Sequence, residues 1–478
     1  MKRSIYVNGE WIIPESGKEI EVINPATNDP IATIGYGGAA EAMAAVTAAD
    51  QAFPAWSKKS VYERAGFLQK LSTAMRRNSQ SLAHRLTLEV GKPLPESLGE
   101  INGAADQFEW YAEEVKRSAG DMIPGRMENQ RHMTIRHAVG PVAAISPWNF
   151  PVLLSSRKIA PALAAGCTVI SRPASQAPLT MMDIFGLMDE IGFPKGVANL
   201  IIGSADACSD AFVQDPRIKK ISFTGSLEIG RKLYMACAAQ MKKVSLELGG
   251  HSPFIVMPDV SPREAARIAG FSKYRNMGQV CISPSRFFVP NSMKSEFEEQ
   301  VVAEVAKLKI GNGVDPFVDV GPLFEEKRVK ECLGFIADIK EKGGKILYGG
   351  GRPKGRAFEK GFFFTPTVAT DISPDMRIMQ EEPFSPIMPI VGYDTVDEVI
   401  EMANNTLYGL AAYVLTDSLK WSVQMAESLE AGIIGINNCA PASAHCPFGG
   451  MKASGIGREG WRQGLDAYYE TKYISIGI

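Results

Sequence analysis

Residues 142–171 read VAAISPWNFPVLLSSRKIAPALAAGCTVIS, and this stretch decides the fold. VAAIS (142–146) and CTVIS (167–171) are short apolar runs of β type. The segment between them, about 153–165, has a helical pattern and stops at Gly166, a natural helix C-cap. Three more β-type runs follow: ANLII (198–202), KISF (220–223) and KVSLEL (243–248). Helical segments of ~10–15 residues separate them, which is the βαβ signature of a parallel sheet covered on both faces.

Working outward, SIYVNGEWII (4–13) reads as a hairpin turning at Asn8 and Gly9. Residues 38–119 are mostly helical in pattern, as in RAGFLQKLSTAM (64–75), with one helix ending at Gly91 ahead of Pro93. After Gly249 and Gly250 a second α/β series begins. Strands are expected at 253–257, 285–290, 345–348, 362–368, 386–393, 410–415 and 432–437. Helices are expected near 262–274, 293–307, 325–341, 395–404 and 418–429. The tail YYETKYISIGI (468–478) is strand-like with little chain left to pair it. It is expected to add to another sheet, a neighbouring subunit's being one candidate.

The chain has 478 residues, room for about two or three domains. Hydrophobic residues make up 45% and charged residues 22%, with a formal net charge of −2. This balance argues against nucleic acid or an anionic membrane as the main partner. MKRSIYVNGEW has no apolar run behind its basic residues, and IAPALAAGCTVI (159–170) is too short for a membrane span. A cytoplasmic protein is expected. The seven cysteines (167, 208, 237, 281, 332, 439, 446) are odd in number and irregularly spaced, unlike a disulfide framework. No C-x-x-C or H-E-x-x-H occurs, and no metal site is expected.

Two motifs mislead, and a third is absent. GIGREG (455–460) matches G-x-G-x-x-G, but the 18 residues after it are too few for a βαβ unit around it. GSLEIGRK (225–232) resembles a P-loop but has Arg231 for the lysine and Lys232 for the magnesium-binding hydroxyl. No G-x-S-x-G elbow occurs.

Chemistry centres on NMGQVCISP (276–284). Alone, Cys281 between Val280 and Ile282 reads as an ordinary packed thiol. Its company changes that reading: PWNFP (147–151), FTGS (223–226), LELGG (246–250), GQVC (278–281), EEPFSP (381–386) and FGGMKASGIGREG (448–460). In this order and spacing the chain resembles the aldehyde dehydrogenase superfamily, in its NAD(P)-dependent, non-phosphorylating branch, over nearly its whole length. The resemblance implies an α/β fold with three parts. A Rossmann-like parallel-sheet cofactor domain spans 1–119 and 142–249. A second α/β catalytic domain spans 250–443, and a small β oligomerisation arm spans 120–141 and 460–478. It implies a homodimer or homotetramer.

It also implies roles. Cys281 is the nucleophile, since an aldehyde loses hydride more readily from a tetrahedral thiol adduct. The Asn149 amide and the Cys281 N–H hold the oxyanion. Glu247 is the base that activates water, which points to hydrolysis of the thioester rather than transfer to coenzyme A. Thr224, Gly225 and Ser226 open a helix suited to the pyrophosphate. Glu382 meets the nicotinamide ribose, with Phe384 beside the ring and Trp148 making a backbone contact. Arg172 stands where relatives carry lysine and Ser175 where NAD users often carry Glu, so of NADP and NAD the former is favoured. Ser385 replaces a usual glycine.

Arg157, Arg275 and Ser443 match positions where the family's succinate semialdehyde dehydrogenases bind the substrate carboxylate. An aldehyde with a distal carboxylate is the expected substrate. The alternatives are a broad-specificity enzyme for uncharged aldehydes and a family member that binds without turnover.

Overall fold

The computed structural model describes residues 4–478; the basic pair Lys2 and Arg3 lies outside them. Strands Ile5–Val7 and Glu10–Ile12 pair antiparallel around Asn8 and Gly9. Both turn residues have positive φ, 52° and 78°, the geometry of a tight hairpin turn that Asn-Gly favours. Four helices follow: Ala39–Ser57, Val61–Arg77, Ser79–Val90 and Leu94–Glu114. Ser60 and Glu63 cap the second reciprocally. Gly91, at φ 90°, ends the third and turns Lys92 inward.

The stretch 142–171 folds as strand Val142–Ile145, helix Pro151–Ala165 and strand Val169–Arg172, the strands parallel. Every residue of that helix except Leu153 is buried. Arg157 and Lys158 are thus cations inside the protein, which need partners or a function there. Ala198–Leu200, Lys220–Thr224 and Lys243–Glu247 complete a five-stranded parallel unit. Its spatial order is Ala198–Leu200, Val169–Arg172, Val142–Ile145, Lys220–Thr224, Lys243–Glu247. The winding reverses between Val142–Ile145 and Lys220–Thr224, and ligands of open α/β sheets bind beyond the strand ends at such a point. The N-terminal hairpin extends one edge of this sheet. Gly455–Ile456 closes the other, antiparallel to Leu246 and Glu247.

A second, seven-stranded sheet runs Lys345–Tyr348, Thr367–Thr370, Ile387–Tyr393, Pro284–Pro290, Ser252–Val256, Ala411–Leu415, Ile433–Ile436. It is parallel except for its first pair. The strand expected over 362–368 begins only at Thr367. Before it, the backbone bonds elsewhere, with Phe362 N–H on Pro25 O and Thr365 N–H on Gly351 O.

A third sheet joins Met122–Ile123, Gln130–Ala138 and Tyr469–Gly477. The closing strand pairs within its own chain, along nine residues from Tyr469↔Ala138 to Gly477↔Gln130. The tail thus adds to another sheet, here one built by its own chain, and it stands at that sheet's edge. Among the described residues no helix is long and apolar enough to cross a membrane, and no cluster of metal-ligating side chains occurs.

Candidate active site

A cleft of ≈ 190 Å³ opens at the winding reversal of the first sheet. Pro147, Trp148 and Asn149 reach it from the end of Val142–Ile145; Thr224, Gly225 and Ser226 from the end of Lys220–Thr224; Gly249, Cys281, Glu382 and Phe384 from the far side. The two sheets therefore meet across it. Close packing explains the glycines of LELGG. A Cβ on Gly249 would lie 2.3 Å from Glu382 Oε2, and one on Gly250 2.4 Å from the Cys281 carbonyl oxygen.

Cys281 follows a short turn, Arg275–Gly278, in which Asn276 and Met277 both have positive φ. Such strain in non-glycine residues is held by its surroundings. The thiol is half-buried, and burial pushes it up to about 12. Arg157 is the charged group that most opposes this, helped by the Ile282 N–H, while Glu382 and Glu247 add to it. Among the described residues no histidine serves as its partner, and Arg157 is the cation that favours the thiolate. Among the described residues the Cys281 N–H meets no acceptor.

Asn149 is buried. Its Nδ2 donates to Gln279 O at 3.1 Å, which fixes the amide and leaves its second hydrogen free. Its backbone carbonyl oxygen accepts from Lys92 Nζ at 2.7 Å and Asn276 Nδ2 at 3.2 Å. Glu247 ends its strand, 2% exposed, and among the described residues neither carboxyl oxygen has a hydrogen-bond partner. Burial raises it well above the usual carboxylate range, and Glu459 adds to this; Lys158, Arg157 and Arg458 oppose it. Lys158 pairs with Glu459 and donates to Thr224 Oγ1 at 2.6 Å.

Ser226, rather than Thr224, caps the Leu227–Ala239 helix; Thr224 closes its strand and serves Lys158. Trp148 contributes its ring as well as its backbone. It stacks on Phe324 at 4.2 Å and meets Phe384 edge-on at 5.7 Å. Phe384 holds a positive φ of 44° to face it. Glu382 Oε1 accepts the Gly250 N–H at 3.0 Å, and burial raises its carboxyl to about 7. Arg172 and Ser175 lie together, both donating to Gly203 O, at 2.9 and 3.1 Å. Arg172 Nε is buried without an acceptor, and Asp206 is the carboxylate that acts on it. Ser385 packs its carbonyl against Gly278 and keeps a buried, unpartnered hydroxyl.

Arg157 is 4% exposed and lies over the Phe448 ring at 4.0 Å, with no ion-pair partner among the described residues. Arg275 is exposed, over Phe150 at 5.1 Å. Ser443 is half-exposed on the loop before Phe448, where its carbonyl accepts the Cys446 N–H at 3.3 Å. Lys92, Glu100, Lys158 and Glu459 were not legible as site residues. One signal existed for Lys158: it and Arg157 are the two charges in the otherwise uncharged helix PVLLSSRKIAPALAA.

Residues 11–474 match the pattern of the aldehyde dehydrogenase family. The chain belongs to the aldehyde dehydrogenase family. It is 43% identical to the Escherichia coli succinate-semialdehyde dehydrogenase [NADP(+)], over all of this chain and 98% of that one. It is 42% identical to a Pseudomonas putida glutarate-semialdehyde dehydrogenase, with the same coverage. A crystal structure of an E. coli NADP-dependent enzyme superposes with a TM-score of 0.97 at 42% identity, covering 100% of this chain and 98% of that one. Its architecture is thus the aldehyde dehydrogenase fold.

Proposed function

We propose that the protein oxidises aldehydes carrying a distal carboxylate, of the succinate or glutarate semialdehyde type, to the diacids, with NADP preferred over NAD. The observation that carries this reading is one cleft lined by the Cys281 thiol and the fixed Asn149 amide, with the buried Glu247 carboxyl and the cation Arg157 both close enough to act on that thiol. Relatives named for semialdehydes support the substrate class.

The cofactor fits the residues present. The capped N-terminus of Leu227–Ala239 offers free N–H groups to a pyrophosphate, and Arg172 Nε awaits an acceptor beside Ser175, whose side chain carries no charge to repel a 2′-phosphate. Glu382 and the Trp148–Phe384 wall would hold the ribose and ring. A bound nicotinamide supplies the hydride acceptor.

The chain's own residues do the rest. Arg157 stabilises the Cys281 thiolate, which attacks the aldehyde carbon. The free Asn149 amide hydrogen and the Cys281 N–H receive the oxyanion, donors already fixed before the reaction. After hydride loss the carbonyl carbon is a thioester on Sγ. Glu247 takes a proton from water, hydroxide adds to the thioester, and the acid leaves as the thiol is restored. Arg157 and Arg275, with Ser443, receive the substrate carboxylate. The division into cofactor domain, catalytic domain and oligomerisation arm belongs to the same reading, as does a homo-oligomer in the cytoplasm.

The test compares kcat/KM for succinate semialdehyde and butanal, each with NADP and NAD. A preference of about 100-fold for the acid, near 2.7 kcal/mol of transition-state binding, is expected. Arg275→Ala should raise KM for the acid and spare butanal. Equal rates for both aldehydes would reduce the reading to a general aldehyde dehydrogenase.

A further inference from the structure

Lys92 is a lysine 1% exposed, and each face of its ammonium is engaged. It donates to Glu100 Oε2 at 2.6 Å and to the Asn149 carbonyl at 2.7 Å, and lies 3.7 Å from the centre of the Phe150 ring. Glu100 spends its other oxygen on the N–H groups of Val152 and Leu153, at 2.9 and 3.2 Å, which are unsatisfied donors at the start of Pro151–Ala165. One turn earlier on the same helix, Glu96 Oε2 accepts the Asn276 N–H at 2.9 Å. Asn276 is a left-handed residue of the turn before Cys281, and its Nδ2 returns to the Asn149 carbonyl and to Gln279 O, both at 3.2 Å. Three side chains, Lys92 just before Leu94–Glu114 and Glu96 and Glu100 within it, thus grip two separate segments. One carries the amide for the oxyanion and the other carries the nucleophile.

We propose that Lys92, Glu96 and Glu100 form a positioning clamp that fixes Asn149 relative to the Cys281 turn. The proposal rests on the activity assigned above. None of the three touches the reacting atoms; they act through Asn149 and the turn. A misplacement of about 1 Å at such a centre costs on the order of 100-fold in rate.

A double-mutant cycle tests it. Lys92→Met keeps the stem and removes the charge. It should lower kcat about 100-fold, as losing the oxyanion donor would, with KM for the aldehyde and Kd for NADPH, read by fluorescence, within about threefold. On an Asn149→Ala background the same change should cost less than about threefold, because the group it positions is already gone. Full additivity, or an unchanged kcat, would overturn the clamp. A general loss of structure moves the NADPH Kd and adds to Asn149→Ala, so the two arms separate the causes. Where Lys92→Met does not accumulate, Glu100→Gln and Glu96→Gln carry the same cycle with the same outcomes. Wild-type protein that transfers no hydride from any aldehyde would sink the activity reading instead, a result independent of the cycle.

Discussion

Two buried lysine–glutamate pairs flank the catalytic cleft, and they are built to opposite standards. In Lys92–Glu100 each charged group is satisfied: the ammonium has two oxygens and an aromatic face, and the carboxylate serves Lys92 and two helix N–H groups. In Lys158–Glu459 the second carboxyl oxygen of Glu459 is buried with no partner, beside a Glu247 that has none on either oxygen. Satisfied networks in a low dielectric rigidify, whereas unsatisfied ones hold charge at a cost. The first pair therefore sets geometry. The second leaves a carboxyl whose proton affinity is high enough to serve as a base.

The comparison breaks most directly at Glu247. Glu247→Gln should leave about one equivalent of NADPH per site as a burst and cut steady turnover by roughly 10²–10⁴. Loss of the burst as well would mean that Glu247 is also needed before hydride transfer. A smaller effect separates the pairs. Lys158 lowers the proton affinity of Glu247, so Lys158→Met should push the rising limb of kcat against pH to higher pH. Lys92→Met should lower kcat without moving that limb. Identical limbs in both variants would erase the distinction.

Smallest is the effect at Glu382, which stands between the two cases with one oxygen on the Gly250 N–H. Burial raises it from 4.5 to about 7. A carboxyl whose folded affinity exceeds its unfolded one stabilises the fold below its unfolded value, and that contribution fades as pH rises through the folded one. Glu382→Gln should match the wild type near pH 4.5 and exceed it by a few degrees in Tm above pH 7. A gain at low pH instead would reverse the sign.

The fold was largely legible because periodicity survives burial. VAAIS, CTVIS and KVSLEL became strands, and Gly166 and Gly91 ended helices with φ of 95° and 90°. The run at 362–366 has strand composition, yet its N–H groups found carbonyls far off in sequence, which no local pattern records. At the candidate site, the residues legible from their type were those such as Cys281 and Asn149, which line one cleft. Lys92 and Glu100 were not, since charges on helices ordinarily face water; only the fold brings Asn149 and Asn276, some 57 and 180 residues from Lys92 and Glu96, into their reach.

The pairing of Gly455 and Ile456 with Glu247 and Leu246 has a consequence in time. About 210 residues separate the two segments, which a ribosome adds over roughly 10–40 s. During that interval the edge of the Lys243–Glu247 strand has no neighbour, and Glu459 has not been made. Glu247 begins as a carboxylate open to water with an ordinary affinity for protons. It acquires its raised proton affinity only when the chain returns to cover it, so a nascent polypeptide that already holds Cys281 and the whole five-stranded parallel unit still lacks the buried carboxyl that the proposed mechanism needs.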